Sequence, residues 1–329
     1  MVSFTEMRSI TWPAKIYWWE IEALKTALVN DNMRWVAPAP LKPEPHKWSD
    51  DEVTCAWLGH SIVLINFFGL NIITDPVLGR RVGIKAGPFI LGPKRYIQPA
   101  LKYWELPQID LILLSHSHLD HLDLWTLRRM GSRATVVTSA HTKDLMKKTW
   151  LTETHELAWH EHTRLFEHRG GMHIEAFPTS HWGARLRSDH HRGWNGYIIE
   201  RNGKRLIFGG DTGYTSIFEG LREKGPFDIA IMPIGAYMPW ITNHCNPEQA
   251  LKMTDAAGAK YILPIHHQTF KLGWEPMHEP IERLKKALAP TPHRLAIEQV
   301  GGTFILPRQC PSPSSVMNRA LSSKPAIAQ

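Results

Sequence analysis

The chain has 329 residues, 43% hydrophobic and 21% charged, with a formal net charge of +7 and a pI near 9.3, enough for one large domain or two small ones with a sizeable core. Its three cysteines, Cys55, Cys245 and Cys310, are far apart and form no CxxC, which excludes a disulfide framework or a cysteine-rich zinc module. No apolar run approaches the roughly 20 residues of a spanning helix, and the basic residues are scattered along the chain without an aromatic stacking platform, so nucleic acid is not an expected partner.

Residues 1–48 read as an N-terminal arm, helical around "KIYWWEIEALKTALVN" and closed by the proline-rich "APAPLKPEPHKW", which cannot continue a helix or a central strand. The opening residues lack the apolar stretch and small-residue cleavage site of a signal peptide, so a cytoplasmic protein is expected. The arm mixes aromatics with lysine in the manner of interfacial segments; packing over the core is the preferred role, with peripheral membrane contact as the alternative. Residues 49–306 alternate short β-rich apolar runs with turns and amphipathic helices such as "NPEQALKMTDAAG" and "PIERLKKALA", the pattern of a mixed α/β domain. Residues 307–329, rich in Ser, Pro and Ala, are expected to form a disordered tail.

The chemistry concentrates in "LLSHSHLDHLD", Leu113 to Asp123. The run "IDLILL" suits a buried strand, and His116 and His118 follow it at i, i+2, which puts both imidazoles on one side of an extended chain. Asp120 and His121 come where the chain turns into the helix "LWTLRRM" and can face a second ion beside the first. H-x-H-x-D-H therefore offers the nitrogen and oxygen ligands that zinc accepts, for two sites. A buried strand ending in so many ionisable groups would be costly unless something paired them. Three more candidates sit past apolar runs: His181 after "IEAFPTS", Asp211 after "RLIFGG" and His266 after "YILPI". A shared edge of one layered core would bring all of them together, and the Asp211 carboxylate has the two oxygens needed to bridge two ions.

Beyond H-x-H-x-D-H, the segments "WLGHS", "TDPVL", "GPKRY", "SHW", "FGGDTGY", "GPFDIAIMPIGAY" and "NPEQA" resemble the metallo-β-lactamase superfamily. Within it they resemble the group that includes N-acylphosphatidylethanolamine-hydrolysing phospholipase D and its bacterial relatives. The resemblance covers Val53 to Leu288 and implies an α/β fold (α+β by some schemes), a four-layer αββα sandwich with a dinuclear site in a cleft along one edge of the two sheets. It implies that His116, His118 and His181 hold one ion, Asp120, His121 and His266 the other, and that Asp211 bridges. The expected cofactor is two zinc ions per chain, with manganese or iron as substitutes. The implied reaction is hydrolysis of a phosphodiester in an N-acylphosphatidylethanolamine-like phospholipid by a hydroxide bridging the ions, which Asp120 also orients. His244 matches a histidine ahead of the same helix in the related phospholipases, where it would protonate the leaving group or fix a substrate oxygen.

Two segments depart from the family. "IHHQTF" stands where the phospholipases resemble "IHWGTF", so His267 and Gln268 would bring polar groups to the cleft, and "WITNHCNPEQA" differs ahead of the "DPEEA" helix. Both put the substrate in question more than the metal. A lactonase or other ester hydrolase is therefore the alternative, and a non-catalytic metal-binding protein the second; a homodimer is left open. Diiron flavoproteins are set aside because they usually carry a carboxylate in place of the second histidine, and class B β-lactamases because no cysteine stands at a ligand position. Around the ligands, Asp75 could accept the outer N–H of a histidine ligand, and His60 is expected to support the site structurally. Lys94, Arg95, Arg185, Arg187 and Arg192 could receive a phosphate through their charge and guanidinium forks.

Overall fold

Runs such as "VTCAWLG" and "IVLINF" leave no residue of their strands exposed, and such segments need cover on both faces. The computed structural model describes residues 34–308 apart from Pro88 and Arg187. The helix expected in the arm, the expected tail beyond residue 308 and Arg187 lie outside the described residues. The described residues form strands β1 (Val53–Gly59), β2 (Ile62–Phe67), β3 (Leu70–Thr74), β4 (Ile84–Ala86), β5 (Phe89–Leu91), β6 (Leu111–Leu113), β7 (Thr135–Ser139) and β8 (Thr154–Leu157). They continue with β9 (His162–Leu165), β10 (Met172–Phe177), β11 (Gly196–Arg201), β12 (Lys204–Phe208), β13 (Phe227–Pro233), β14 (Ala259–Ile265) and β15 (Thr303–Ile305). A seven-stranded sheet has the order β15-β1-β2-β3-β6-β7-β8 and a six-stranded sheet the order β14-β13-β12-β11-β10-β9.

The strands' period-2 alternation sorts their side chains between layers. Tyr197 and Ile199, Leu206 and Phe208, Ile229 and Ile231, and Leu263 and Ile265 join the large cluster built on the first sheet. Their alternates Ile198, Ile207, Ala230, Met232 and Ile262 face the other way, into a second cluster. Helices α3 (Ile217–Leu221), α4 (Pro247–Ala257) and α5 (Glu279–Ala287) supply Phe218, Leu221, Ala250, Met253, Ala257, Ile281 and Leu284 to that second cluster. On the other side, the one-turn helices α1 (Leu124–Leu127) and α2 (Lys143–Met146) send Leu127, Leu145 and Met146 onto the first sheet. The layers run helix, sheet, sheet, helix, an α/β sandwich. Helix α4 starts at a capping box, Asn246 accepting from Gln249 N and Gln249 reaching back to Asn246 N, and stops at Gly258 in the left-handed region. Helix α1 is shorter than "LWTLRRM" suggests, closed after Leu127 although Asp123 caps its start.

Both sheets turn parallel toward one set of edges: β3, β6 and β7 in the first, β12, β13 and β14 in the second. The carboxyl ends of these strands carry Asp75 after β3, His116 after β6, Asp211 after β12 and His266 after β14, the position where sheet proteins collect ligands. The described part of the linker lies on this body: Ala37 N donates to Tyr96 O at 2.9 Å and Leu41 N to Val300 O at 3.2 Å.

Candidate metal centre

The loop after β6 folds back at once, with His121 N and Leu122 N both donating to His118 O at 3.1 and 2.9 Å. That turn brings His116, His118, Asp120 and His121 to one place. His116 Nε2 lies 2.9 Å from His118 Nδ1, and His181 Nε2 lies 3.3 Å from the same atom. A second group forms beside it: His121 Nε2 and His266 Nε2 lie 3.0 and 3.2 Å from Asp211 Oδ2, and both lie 3.6 Å from Asp120 Oδ2. Asp211 Oδ2 is also 3.9 Å from His181 Nε2, so this carboxylate touches both groups.

Hydrogen bonding does not explain the convergence. Two imidazole nitrogens share one proton at most, and the third nitrogen of the first group then has none to receive. In the second group the close approaches lack hydrogen-bond direction. His121 Nε2, both His266 ring nitrogens, both Asp211 oxygens and His244 Nδ1 are buried without a hydrogen-bond partner, each at a cost unless something else satisfies it. A cation does. Four ligands at ~2.0–2.1 Å around a tetrahedral ion stand about 3.3 Å apart, and the approaches observed, 2.9 to 3.6 Å within each group, bracket that edge length.

The outer nitrogens are held so that the inner ones present lone pairs. Asp75, fully buried, accepts from His121 Nδ1 at 2.7 Å and from the Ser115 hydroxyl at 2.5 Å through Oδ2, and from Ser115 N at 2.8 Å through Oδ1. Ser115 Oγ in turn accepts from His116 Nδ1 at 2.8 Å. His181 Nδ1 donates to Asn243 O at 3.1 Å. These contacts fix three tautomers. His60, buried with a left-handed backbone, places Nε2 3.3 Å from Asp120 Oδ2 and its ring 4.3 Å from that of His266.

The charges in the cluster answer one another. Burial alone would raise Asp120 and Asp211, but the surrounding histidines hold both well below the usual carboxylate range. Burial alone would lower His121 and His266, yet Asp211 and Asp120 hold His121 well up and His266 at about 9. Protons on these two rings balance the carboxylates, and a bound cation would replace them. Burial drives His181 and His244 to about 3 and His118 to about 4, which keeps them neutral. Cys245, beside His244, donates its thiol to Pro233 O at 3.2 Å.

The basic residues expected to receive a phosphate are placed otherwise. Arg95, 1% exposed, donates from Nε to Gly79 O at 2.9 Å and from its terminal nitrogens to Val77 O at 2.7 Å and Ile97 O at 3.3 Å; it ties the loop after β3. Lys94 is buried and its ammonium donates to Arg34 O. Arg192 is buried and forks onto Asp144 at 2.5 and 2.9 Å while its Nε reaches Asp189 at 3.1 Å. Arg185 turns inward to Ser117 O and Leu122 O. All three guanidinium nitrogens of Arg95 and of Arg192 are spent on the fold itself, while Arg185 gives one terminal nitrogen to two carbonyls.

His267 is buried and its ring stacks on Trp57 with centroids 4.4 Å apart. Gln268, buried, has a left-handed backbone, and it lines a small cavity with His266, His267, Ala236 and Glu275. His244 does sit at the cluster, its Nδ1 3.8 Å from Asp211 Oδ2. Sequence reasoning missed Ser115 and Asn243, the latter acting through a backbone carbonyl that leaves no mark in a side chain.

The family described as the β-lactamase superfamily domain matches residues 70–267. An N-acyl-phosphatidylethanolamine-hydrolyzing phospholipase D of Caenorhabditis elegans is 33% identical over 255 residues, 73% of this chain and 71% of the relative. The mitochondrial enzyme of the same name from Saccharomyces cerevisiae is 32% identical over 257 residues, 75% of this chain and 54% of the relative. Among solved structures, a metallo hydrolase from the archaeon Ignicoccus hospitalis superposes with a TM-score of 0.59 at 22% identity, covering 78% of this chain and 99% of that one.

Proposed function

The chain belongs to the metallo-β-lactamase superfamily and is a metal-dependent hydrolase, and on that premise we propose that it uses two zinc ions to hydrolyse a phosphodiester of an N-acylphosphatidylethanolamine-like phospholipid. One observation carries this most: seven side chains with metal-ligating atoms converge from four strand ends at ligand–ligand spacing, and the facing atoms of His121, His266 and Asp211 are buried without a hydrogen-bond partner. His116, His118 and His181 would hold one ion, Asp120, His121 and His266 the other, and Asp211 would reach both. When bound, such a pair of cations lowers the pKa of water and polarises a phosphoryl or carbonyl oxygen.

The chain's own residues do the rest. Asp75, through His121 and the Ser115–His116 relay, holds the rings in the ligating tautomers. Asp120, the more solvent-reachable carboxylate of the pair, orients the attacking water. His244 is neutral at physiological pH because burial holds it near 3; it therefore serves better as an N–H donor to a substrate oxygen than as a proton source.

The lipid reading is supported by the names of the two phospholipase relatives and by the rim beside His244. There Met238, Ile241 and Trp274 are exposed, Trp274 at 70%, with Trp274 N bonded to Met238 O at 2.7 Å. Elsewhere, Tyr103, Trp104 and Trp125 form an exposed aromatic cluster, with Lys102 5.1 Å over Trp104 and Arg129 3.7 Å over Trp125. Such a surface suits peripheral contact with an anionic membrane from the cytoplasmic side. Among the described residues no helix is long and apolar enough to cross a membrane. Zinc-loaded protein assayed side by side on bis(p-nitrophenyl) phosphate, N-acylphosphatidylethanolamine and a panel of lactones tests the function. Phosphodiester turnover is expected to lead, and preference for lactones would move the protein to the ester hydrolases.

A further inference from the structure

We infer that Arg185 is a positioning residue that clasps the two ligand-bearing loops into one unit, setting the geometry of the metal centre from outside it. The inference rests on the two-ion reading. A single terminal nitrogen of Arg185 donates to Ser117 O at 3.0 Å and to Leu122 O at 2.7 Å. Those carbonyls mark the two ends of the loop that carries His118, Asp120 and His121, so the guanidinium spans the loop like a staple. Its own chain segment carries His181, four residues earlier.

A second contact joins the same two segments independently. Ser117 Oγ donates to Gly183 O at 2.5 Å, and the His118 and Trp182 rings meet at 4.6 Å. Gly183 is held in a space that admits no side chain: an added Cβ would lie 2.1 Å from Gly193 O. The His181 segment therefore cannot slide relative to the loop without losing contacts at Gly183 and Arg185 together. Among the described residues no carboxylate is hydrogen-bonded to Arg185, and its partners are the two carbonyls. A half-buried cation hydrogen-bonded to carbonyls, with the carboxylates of Asp123, Asp189 and Asp120 acting on it only through charge, fits a geometric role, and a planar guanidinium fixes direction where a flexible ammonium does not.

The test is a cobalt(II) titration of metal-free, full-length wild type, R185M and R185K, followed by visible absorption, which reports coordination geometry, with melting of each metal-free form recorded alongside. R185M is expected to bind cobalt about 10- to 100-fold more weakly, as when groups that orient ligands are removed, and to give an altered spectrum. R185K, which retains donors of similar reach, is expected to recover part of both. Wild-type affinity and spectrum in R185M would overturn the inference, as would a lowered melting temperature with unchanged cobalt binding, which marks a purely structural role. If R185M does not fold, R185K decides: a measurable loss of affinity supports the clasp and none overturns it. A wild type that binds no cobalt pair overturns the two-ion reading and the inference with it.

Discussion

Asp75→Asn removes one oxygen's worth of charge and nothing of the side chain's shape. Asp75 Oδ2 receives the His121 Nδ1 proton at 2.7 Å and the Ser115 hydroxyl at 2.5 Å, while Oδ1 receives Ser115 N at 2.8 Å. In the variant the amide oxygen keeps the backbone bond, and an NH2 faces two donors in a fully buried site. Two charge-assisted hydrogen bonds at roughly 1.5–3 kcal/mol each are lost, so the metal-free protein is expected to lose at least about 3 kcal/mol in urea unfolding. His121 has a way to relax: it gives up the Nδ1 proton and keeps the one on Nε2, so that Nδ1 accepts from the new amide and no lone pair is left aimed at the cluster. Zinc affinity, measured by competition with a chromophoric chelator, is therefore expected to fall about 10- to 100-fold. Wild-type zinc affinity in a folded D75N protein would refute the reasoning, because it would mean that the tautomer of His121 is not what prepares the site.

Metal-free protein should be acid-sensitive in a defined window. His60 and His181 are pushed to about 3 and His118 to about 4, chiefly by burial; the unfolded chain takes up protons below about 6.5 that the fold refuses, so their stability is present above that pH and lost toward 3–4, at about 1.4 kcal/mol per unit for each ring. His266, held at about 9, acts with the opposite sign: its contribution is full below about 6.5 and fades as the pH rises through 9. Urea midpoints of the metal-free protein that stay flat from pH 6.5 down to 4 would contradict these placements. His244→Ala should keep both metal ions and lower kcat on a phosphodiester by about 100-fold or more, whereas an unchanged kcat would remove His244 from the chemistry. Arg95→Ala should lower the melting temperature, because Val77, Gly79 and Ile97 lose their donor, and should leave KM for bis(p-nitrophenyl) phosphate unchanged; a raised KM would return Arg95 to the substrate.

The candidate ligands stood out in the sequence because of where they stand, and the structure brings them together. His116, His181, Asp211 and His266 each follow an apolar run, and a buried strand that ends in an ionisable group needs a reason. The same runs marked a mixed α/β domain, and the four layers were implied by the family resemblance; the two-residue period of the runs is what divides Ile229 and Ile231 from Ala230 and Met232. The cations were not legible, since "GPKRY" looks like an exposed turn until the carbonyls of Val77 and Gly79, distant in sequence, are seen to surround the guanidinium. His267 has a contact that its place beside a candidate ligand does not reveal: it lines a small cavity with His266 and also stacks on Trp57. Asn243 acts through its backbone carbonyl on His181, which no side-chain pattern reveals.

Metal content tests the central claim most directly. Protein purified without chelator and measured by elemental mass spectrometry against protein concentration is expected to hold two ions per chain, both lost in Asp211→Ala because Oδ2 of that carboxylate approaches His121, His266 and His181 alike. A wild type with one tightly held ion, or an Asp211→Ala variant that keeps one of two, would contradict a centre in which a shared carboxylate binds a pair.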